Sequence, residues 1–349
     1  MKKLAMIGCG GIGNYHLGHF LKYDDIELAG FCDLIPEKAQ AFVEKAGSGK
    51  AFTDWREMYD EIQPDMVFIC IPPYCHGEIE FETIRRGIPM FVEKPVALDL
   101  DLARRIRDEI EKAGLITAVG FQCRYSNIVD DTKAFVARNQ IYFANCFRMG
   151  GIPGTDWWKN KALSGGQIVE QTIHNLDMMR YILGEPVEVF TMGTRGFIKD
   201  VEGYDTDDLT STIIRFESGA LGTVSTGCYA KGGQCSDNTI TFSAKDARLN
   251  HYIINKVQIY GEAPEVADPN ANEFIKGDGA MRADGGEVIT IKDQGQAGDL
   301  CDRTFVDAVL SGDGSKILSP YADALRTLEF VMACNQSMDS NLPIKIEHK

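Results

Sequence analysis

The feature that most constrains the fold is a glycine spacing at the end of the first apolar run of the chain. Residues 4–7 lead into Gly8, Gly10 and Gly13, a helical segment follows, and Asp33 lies 20 positions after Gly13. Gly8 allows a tight turn out of the strand, Gly10 lets the backbone approach a pyrophosphate, and Gly13 lets helix and strand pack closely. The combination predicts a dinucleotide-binding βα unit rather than an ordinary Gly-rich turn.

The start of this helix and the end of the next strand indicate which dinucleotide is bound. The free backbone N–H groups around Gly11 and Ile12, at the positive end of the helix dipole, would face the phosphates. Asp33 ends the second apolar run, and its carboxylate would accept hydrogen bonds from the adenosine ribose and repel a 2′-phosphate. Leu34 offers no cation for such a phosphate, and Lys38 is the nearest base. The sequence therefore predicts NAD rather than NADP.

Strands and helical segments alternate through about residue 121. The predicted strands cover residues 4–7, 26–33, 65–71, 88–92 and 115–121, with helical segments over residues 36–46, 76–87 and 99–113 among them. Strands separated by helices argue for a parallel, doubly wound sheet. We therefore predict an α/β protein whose NAD-binding Rossmann domain covers residues 1–121.

The pattern changes after that point. Period-2 stretches lie at residues 141–148, 187–193, 209–216, 220–228 and 239–242, with one predicted helix over residues 166–183. Residues 261–298 predict a loop region, with short strands at 257–260 and 288–291, and two helices follow near 299–310 and 320–337. Successive strands favour a mostly antiparallel, open sheet. We predict a C-terminal α+β domain for substrate binding and oligomerisation over residues 122–349, whose last helices can pack back on the first domain.

Composition and charge exclude several classes of partner. The net charge is −15 and the pI about 4.9, so DNA or an anionic membrane surface would be repelled. Ten cysteines without a C-x-x-C pair favour free thiols in a reducing compartment, and Cys75-His76 lacks the further ligands that a zinc site needs. No apolar run has the length of a membrane span or of a signal-peptide core. We expect a cytoplasmic protein without a metal site.

Several polar residues are candidates for chemistry. Glu170, His174 and Asp177 are spaced i, i+4, i+7, which predicts one helix face, although a solvated stripe or a buried histidine with carboxylate partners has the same spacing. Lys94 follows a short predicted strand, and ligands of open α/β sheets bind at the carboxyl ends of strands. The alternative for Lys94 is an ordinary surface lysine before a turn.

Four stretches together carry a resemblance to a known family. They are Glu93-Lys94-Pro95, Ile71-Pro72-Pro73-x-x-His76, Gly120-Phe121-x-x-Arg124-Tyr125 and Ser164-Gly165-Gly166-x-x-x-Glu170-x-x-x-His174-x-x-Asp177. With these motifs the chain resembles the Gfo/Idh/MocA oxidoreductases, the relatives of glucose-fructose oxidoreductase and inositol dehydrogenase, most specifically over residues 4–183. It departs from their pattern at Glu170, where aspartate is common, and at Ser126, where a proline often follows the aromatic residue.

The resemblance implies roles at the nicotinamide end of the cofactor. Lys94 and His174 would flank the reacting hydroxyl, and Glu170 would support them or bind substrate. Either Lys94 or His174 could accept the hydroxyl proton as hydride leaves carbon. Pro72 and His76 would lie near the nicotinamide, as would Glu93 together with Lys94.

The remaining candidates lie on the substrate side. Arg124 would bind substrate, or else a carboxylate of its own fold, and Asp177 would lie beside the substrate. Trp157 and Trp158 occupy a loop rich in Gly and Pro, where stacking against a sugar and anchoring of the loop are equally open.

The function implied is hydride transfer between NAD and a secondary alcohol or ketone of a sugar, inositol or glycoside, in a homo-oligomer such as a dimer or tetramer. One alternative is a redox-neutral enzyme that recycles its bound NAD on a glycoside. Others are a dehydrogenase of a small non-sugar compound and a non-catalytic NAD-binding regulator. The presence of Lys94 and His174 argues against the regulator.

Overall fold

The computed structural model describes residues 1–230, 235–261 and 288–348. The strands are β1 (Lys2–Ile7), β2 (Ile26–Cys32), β3 (Lys50–Phe52), β4 (Met66–Ile69), β5 (Met90–Val92), β6 (Thr117–Val119), β7 (Phe143–Met149), β8 (Pro186–Thr194), β9 (Leu209–Phe216), β10 (Leu221–Gly227), β11 (Asp237–Ser243), β12 (Arg248–Tyr252), β13 (Lys256–Tyr260), β14 (Ile289–Lys292) and β15 (Ile344–Lys345). The α-helices are α1 (Gly11–Phe20), α2 (Pro36–Ala46), α3 (Trp55–Ile62), α4 (Glu78–Arg85), α5 (Leu100–Ala113), α6 (Ile128–Arg138), α7 (Lys161–Ser164), α8 (Gln167–Glu170), α9 (Ile173–Leu183), α10 (Ala297–Ser311) and α11 (Tyr321–Ser340).

The first sheet is the predicted doubly wound parallel sheet. Its six strands are ordered β3-β2-β1-β4-β5-β6 and all its pairs are parallel. Residues 4–7 of β1 are buried on both faces, because Leu4 and Met6 pack into one apolar cluster and Ala5 and Ile7 into another. The strand order reverses between β1 and β4, and in such sheets the ligand crevice opens at the carboxyl ends of the strands at that point.

The second sheet confirms the expectation of a mostly antiparallel arrangement. Its nine strands are ordered β14-β13-β12-β11-β7-β10-β9-β8-β15. Only β7 and β10 pair in parallel, and the other neighbours are antiparallel. One face packs on α9 and α11, whereas the outer face leaves Phe143, Phe147, Ile213 and Leu221 between 39% and 55% exposed.

The prediction of one helix over residues 166–183 is wrong. The structure ends α8 at Glu170 and begins α9 at Ile173. The N–H of Thr172 donates to the carbonyl of Gln167, five residues back, and its hydroxyl lies 2.7 Å from that of Thr226. Because this wide turn interrupts the helix, Glu170 and His174 lie on two separate helical segments and do not share one continuous helix face.

Other differences concern short or polar segments. Helices α3 and α6 and strands β3, β12 and β15 were not predicted, and the predicted strands β13 and β14 are present. Most of the predicted loop region, residues 262–287, lies outside the described residues.

The C-terminal helices return to the first sheet. Cys301, Phe305 and Val306 of α10 are buried in the cluster that contains Leu4 and Met6. Helix α11 packs between β8 and α9 of the second unit and α5 and β6 of the first. The domain boundary after residue 121 remains a prediction. Within the described ranges no helix is long and apolar enough to cross a bilayer.

Candidate active site

The glycine loop after β1 has the geometry of a phosphate-binding turn. Gly8 has φ of +94°, and a Cβ there would lie 2.1 Å from the carbonyl oxygen of Cys70. A Cβ on Gly13 would lie 2.3 Å from the carbonyl oxygen of Gly8, so the strand–helix packing requires glycine at both positions. Gly10 has no neighbour within 4 Å of its Cβ position, and α1 starts there without a side-chain cap. The N–H groups at the exposed residues Gly11 and Ile12 are therefore available to a ligand.

Asp33 lies beside this loop at the end of β2. Its carboxylate accepts hydrogen bonds from the backbone N–H groups of Cys9 at 2.8 Å and Ile35 at 2.9 Å. In the described part of the chain no lysine or arginine pairs with it, and Leu34 is 87% exposed. The two N–H contacts hold an anionic group next to the glycine loop, where it can accept hydrogen bonds from ribose hydroxyls.

Lys94 and Glu170 form an ion pair where the two sheets meet. The Lys94 Nζ donates to Glu170 Oε1 at 2.8 Å and to the Glu170 carbonyl at 3.0 Å. Burial opposes the charge on Lys94, but the carboxylates of Glu170 and Glu93 outweigh it and raise its pKa above the ordinary range. Burial likewise opposes the charge on Glu170, yet Lys94 keeps the pKa of that carboxyl below its usual value. Both groups are therefore charged at neutral pH.

His174 has the opposite character. Burial, followed by the positive charges of Lys94 and Arg148, lowers its pKa to about 3. Its Nδ1 is buried and has no hydrogen-bond partner among the described residues. Its ring lies edge-on to Phe121, with 6.1 Å between the ring centroids. His174 is thus a neutral imidazole beside an ammonium group, and it can accept a proton.

Trp158 holds Glu170 rather than offering a face to a ligand. Its side chain is fully buried, and its Nε1–H donates to Glu170 Oε2 at 2.7 Å. The Gln171 side-chain amide donates to the same oxygen. Of the two readings for the tryptophan pair, anchoring applies to Trp158. Trp157 is half-buried, and its ring lies edge-on to that of Tyr74, at 6.5 Å between centroids.

Arg124 and Asp177 satisfy each other. The Arg124 Nε donates to Asp177 Oδ2 at 2.8 Å, and both side chains are about 1% exposed. A second Arg124 nitrogen donates to the Leu318 carbonyl and pairs with Asp323, while Asp177 also accepts from the Thr327 hydroxyl. Of the two alternatives for Arg124, the structure shows the pairing with an internal carboxylate, and Asp177 supplies that carboxylate. These contacts join helix α9 to helix α11.

Glu93 belongs to a buried chain of charged groups. Its Oε1 lies 3.1 Å from His16 Nε2, and His16 Nδ1 lies 2.8 Å from Asp302 Oδ2. Glu93 Oε2 accepts from the backbone N–H of Lys94 at 3.1 Å. Burial opposes the charge on His16, but Asp302 and Glu93 raise its pKa to about 10. Glu93 therefore contacts the backbone of Lys94 and, through a protonated His16, helix α10.

The loop after β4 contains His76, whose ring is oriented by a carboxylate. The Nδ1 of His76 lies 2.6 Å from Glu80 Oε1, and Glu80 Oε2 accepts from the N–H of Gly77. The Nε2 of His76 is buried without a hydrogen-bond partner among the residues described. Pro72 precedes this loop's single 3₁₀ turn, residues Pro73–Cys75.

Arg148 is a site residue that the sequence reasoning missed. It lies at the end of β7 and donates through Nη2 to the Gln171 side-chain oxygen at 2.7 Å. Its Nη1 contacts the Cys228 sulfur at 2.9 Å and the Gly227 carbonyl at 3.3 Å. The available signal was its position, because Ala144, Cys146 and Arg148 alternate along one face of a predicted strand. A charged residue on the same strand face as two small buried residues is unusual, and it could have marked Arg148 as a candidate.

Comparisons with known proteins show which proteins this chain is similar to. A family model described as the oxidoreductase family with an NAD-binding Rossmann fold matches residues 2–121, and the GFO/IDH/MocA C-terminal domain matches residues 140–250. Myo-inositol 2-dehydrogenase of Thermotoga maritima is 30% identical over 227 residues, which cover 64% of this chain and 67% of the relative. D-glucoside 3-dehydrogenase of Escherichia coli is 28% identical over 239 residues, covering 63% and 68%. A levoglucosan dehydrogenase structure in complex with NADH has the same fold, with a TM-score of 0.83 at 18% identity over the full length of both chains.

Proposed function

This chain belongs to the Gfo/Idh/MocA family of NAD-binding oxidoreductases, and from this premise we propose that it oxidises a secondary hydroxyl group of a sugar, inositol or glycoside. The observation that carries the proposal is that a protonated lysine and a neutral histidine lie together beside the crevice. Lys94 is held as an ammonium group by Glu170, and His174 is held as a neutral imidazole. Removing a proton from a hydroxyl needs an acceptor, and the oxygen that loses it needs a positive partner.

The proton transfer is assigned to His174. Its neutral imidazole accepts the hydroxyl proton, while the Lys94 ammonium donates a hydrogen bond to the same oxygen and stabilises its developing negative charge. Glu170 keeps Lys94 charged and oriented, and Trp158 holds Glu170 in place. NAD, when bound, supplies the carbon that receives the hydride.

The residues of the first sheet fit this cofactor. The open space at Gly10 and the uncapped N–H groups at Gly11 and Ile12 would receive the pyrophosphate. Asp33 would bind the adenosine ribose. His76, with an unpartnered Nε2, is proposed to lie near the nicotinamide.

The substrate side and the assembly are part of the same proposal. Trp157, beside Tyr74, remains a candidate for contact with the substrate, because its ring is not fully buried. Exposed apolar side chains on the outer face of the second sheet support a homo-oligomer. We place this oligomer in the cytoplasm, without nucleic acid or membrane partners. A net charge of −15 is consistent with the absence of polyanionic partners.

The test is to incubate the protein with NAD and a panel of inositols, aldoses and glycosides. Reduced nicotinamide is followed by absorbance, and products are identified by mass spectrometry. A dehydrogenase accumulates NADH in proportion to ketone. Product formed without NADH would favour the redox-neutral alternative, and binding of NAD and ligand without product would favour the regulator.

A further inference from the structure

Arg148 is a cation in the candidate active site, and it has no anionic partner among the residues that the structure describes. Its guanidinium contacts the Gln171 amide oxygen, the Cys228 sulfur and the Gly227 carbonyl, which are all neutral. Within residues 1–230, 235–261 and 288–348 no carboxylate lies within ion-pair distance of its guanidinium. Residues 231–234, which begin three positions after Cys228 in the sequence, read Lys-Gly-Gly-Gln and contain no carboxylate.

The other arginines of this region are paired differently. Arg124 binds Asp177 and Asp323, and Arg180 binds Glu185 and Asp323. Arg148 reaches the carboxylate of Glu170 only through Gln171, and that carboxylate already accepts from Lys94. The described part of the chain therefore pairs Arg124 and Arg180 with carboxylates and supplies none to Arg148.

The position of Arg148 places this charge next to the reacting groups. It acts on both Lys94 and His174, lowering the pKa of each in addition to the larger effect of burial. It lies on the second sheet, beside α8, and not at the glycine loop that would hold the cofactor phosphates. Gly150 leaves space beside it, because a Cβ there would lie 3.0 Å from Nη2. A half-buried guanidinium with free N–H groups is suited to bidentate recognition of a carboxylate or a phosphate.

We propose that Arg148 binds an anionic group of the substrate, a carboxylate or a phosphate ester, so that the natural substrate is an acidic sugar or polyol rather than a neutral one. The inference rests on the proposed function, because it names the substrate class of the same site. An incoming anion would complete the charge balance of the site, whereas a neutral sugar would leave the guanidinium without a counter-charge.

The test compares sugars that share one ring and differ at C6. D-glucose, D-glucuronate and D-glucose 6-phosphate form one set, and D-galactose, D-galacturonate and D-galactose 6-phosphate form the second. With the NAD-loaded wild type we expect an anionic member to have at least roughly 10-fold higher kcat/KM, or 10-fold tighter binding by calorimetry, than its neutral partner. Comparison of the uronates with the 6-phosphates shows whether a carboxylate or a phosphate ester is recognised.

Arg148→Gln removes the charge, and Arg148→Lys keeps it without the planar fork. We expect Arg148→Gln to lose roughly 30-fold or more in kcat/KM or affinity for the anionic sugar and clearly less for the neutral sugar, so that the wild-type preference for the anion is lost. Arg148→Lys should retain part of the preference. Arg56→Gln, an exposed arginine on α3, is the matched control and should leave the preference unchanged.

Three results would overturn the inference. In the first, neutral sugars are bound or oxidised at least as well as their anionic partners by the wild type. In the second, Arg148→Gln weakens both kinds of sugar equally. In the third, Arg148→Gln weakens NAD binding as much as sugar binding, which would assign the arginine to the cofactor. Oxidation of neutral sugars alone would leave the proposed dehydrogenase function standing. Binding of anionic sugars without any hydride transfer would instead contradict that function and support the role of Arg148.

Discussion

Lys94 and His174 differ in the charge that their surroundings impose, and that difference separates their roles. Both lie beside Glu170, but only Lys94 is paired with it. If His174 accepts the proton, His174→Ala should lower kcat by roughly 10²-fold or more while NAD affinity is retained. Lys94→Met should also lower kcat, because the alkoxide loses its positive partner. Wild-type turnover in His174→Ala on the true substrate would contradict the assignment.

The pH dependence gives a second test of His174. Its pKa is lowered to about 3 from an ordinary value of 6.5, so the imidazole stays neutral across the weakly acidic range. We expect kcat/KM to be nearly flat from pH 6.5 to pH 5. A base with the ordinary pKa would instead lose activity by roughly 16-fold over that interval. The measurement is a pH–rate profile under conditions in which circular dichroism shows that the protein remains folded.

Asp33 carries the prediction on cofactor choice. Its carboxylate lies beside the glycine loop without a basic partner in the described chain, and Leu34 projects into solvent. We expect tighter binding of NAD than of NADP by calorimetry. The double variant Asp33→Ser, Leu34→Arg should narrow or reverse that preference, because it removes the repulsion and adds a cation for the 2′-phosphate. Tighter NADP binding by the wild type would show that Asp33 does not select the cofactor.

At the scale of elements, α10 is joined to the first sheet by the buried pairing of His16 with Asp302. The pKa of His16 is about 10 in the folded protein and near 6.5 when unfolded, so its contribution to stability is complete below pH 6.5. That contribution is lost as the pH rises from 6.5 towards 10. The free energy of unfolding of the wild type should therefore fall over this range relative to that of His16→Gln. At pH 6 the variant should be destabilised by about 3 kcal/mol or more.

The comparison is made by urea unfolding at several pH values. A wild type and a His16→Gln variant whose stabilities change in parallel from pH 6.5 to pH 10 would show that His16 is not a buried cation. His348→Gln is a control, since His348 is near the C-terminus and pairs with Glu329 rather than with Asp302.

The elements also show which features the sequence could predict. The glycine loop and β1 follow from residues adjacent in the chain, and local spacing sufficed for them. The break between α8 and α9 lies at Thr172, whose hydroxyl contacts that of Thr226, 54 residues away in the sequence. The pairing of Arg124 with Asp177 spans 53 residues. Such long-range partners are determined by tertiary packing, and residue spacing in the sequence does not predict them.

Within the candidate site, Arg148 shows the same difference between features that local spacing predicts and features that depend on long-range contacts. Its inward position on a strand was visible in the alternation of β7, but its neighbours Gln171 and Cys228 come from other parts of the chain. The identities of Lys94, Glu170 and His174 as candidates could be predicted, whereas their protonation states required burial and distances.

At the scale of the whole molecule, the outer face of the second sheet exposes several large apolar side chains on a strongly acidic protein. Phe143 and Leu221 are paired across β7 and β10, and Phe147 on β7 and Ile213 on β9 lie on the same face, on either side of β10. Exposed apolar side chains grouped on one face of an open sheet commonly mark a protein–protein contact. If this face joins two copies of the chain, light scattering after gel filtration should give at least twice the mass of 38.6 kDa.

A charge at the centre of that face should separate the copies. We expect the double variant Phe147→Glu, Ile213→Glu to elute as a monomer, since each interface would then bury repelling carboxylates without partners. Ser225→Ala, on the same face between these two residues, is the control and should keep the wild-type mass. Because the face is opposite to the one that packs on α9, the glutamate variant should still bind NAD with near wild-type affinity. An unchanged mass would show that another surface forms the oligomer, and a monomeric wild type would show that the face has no self-association role.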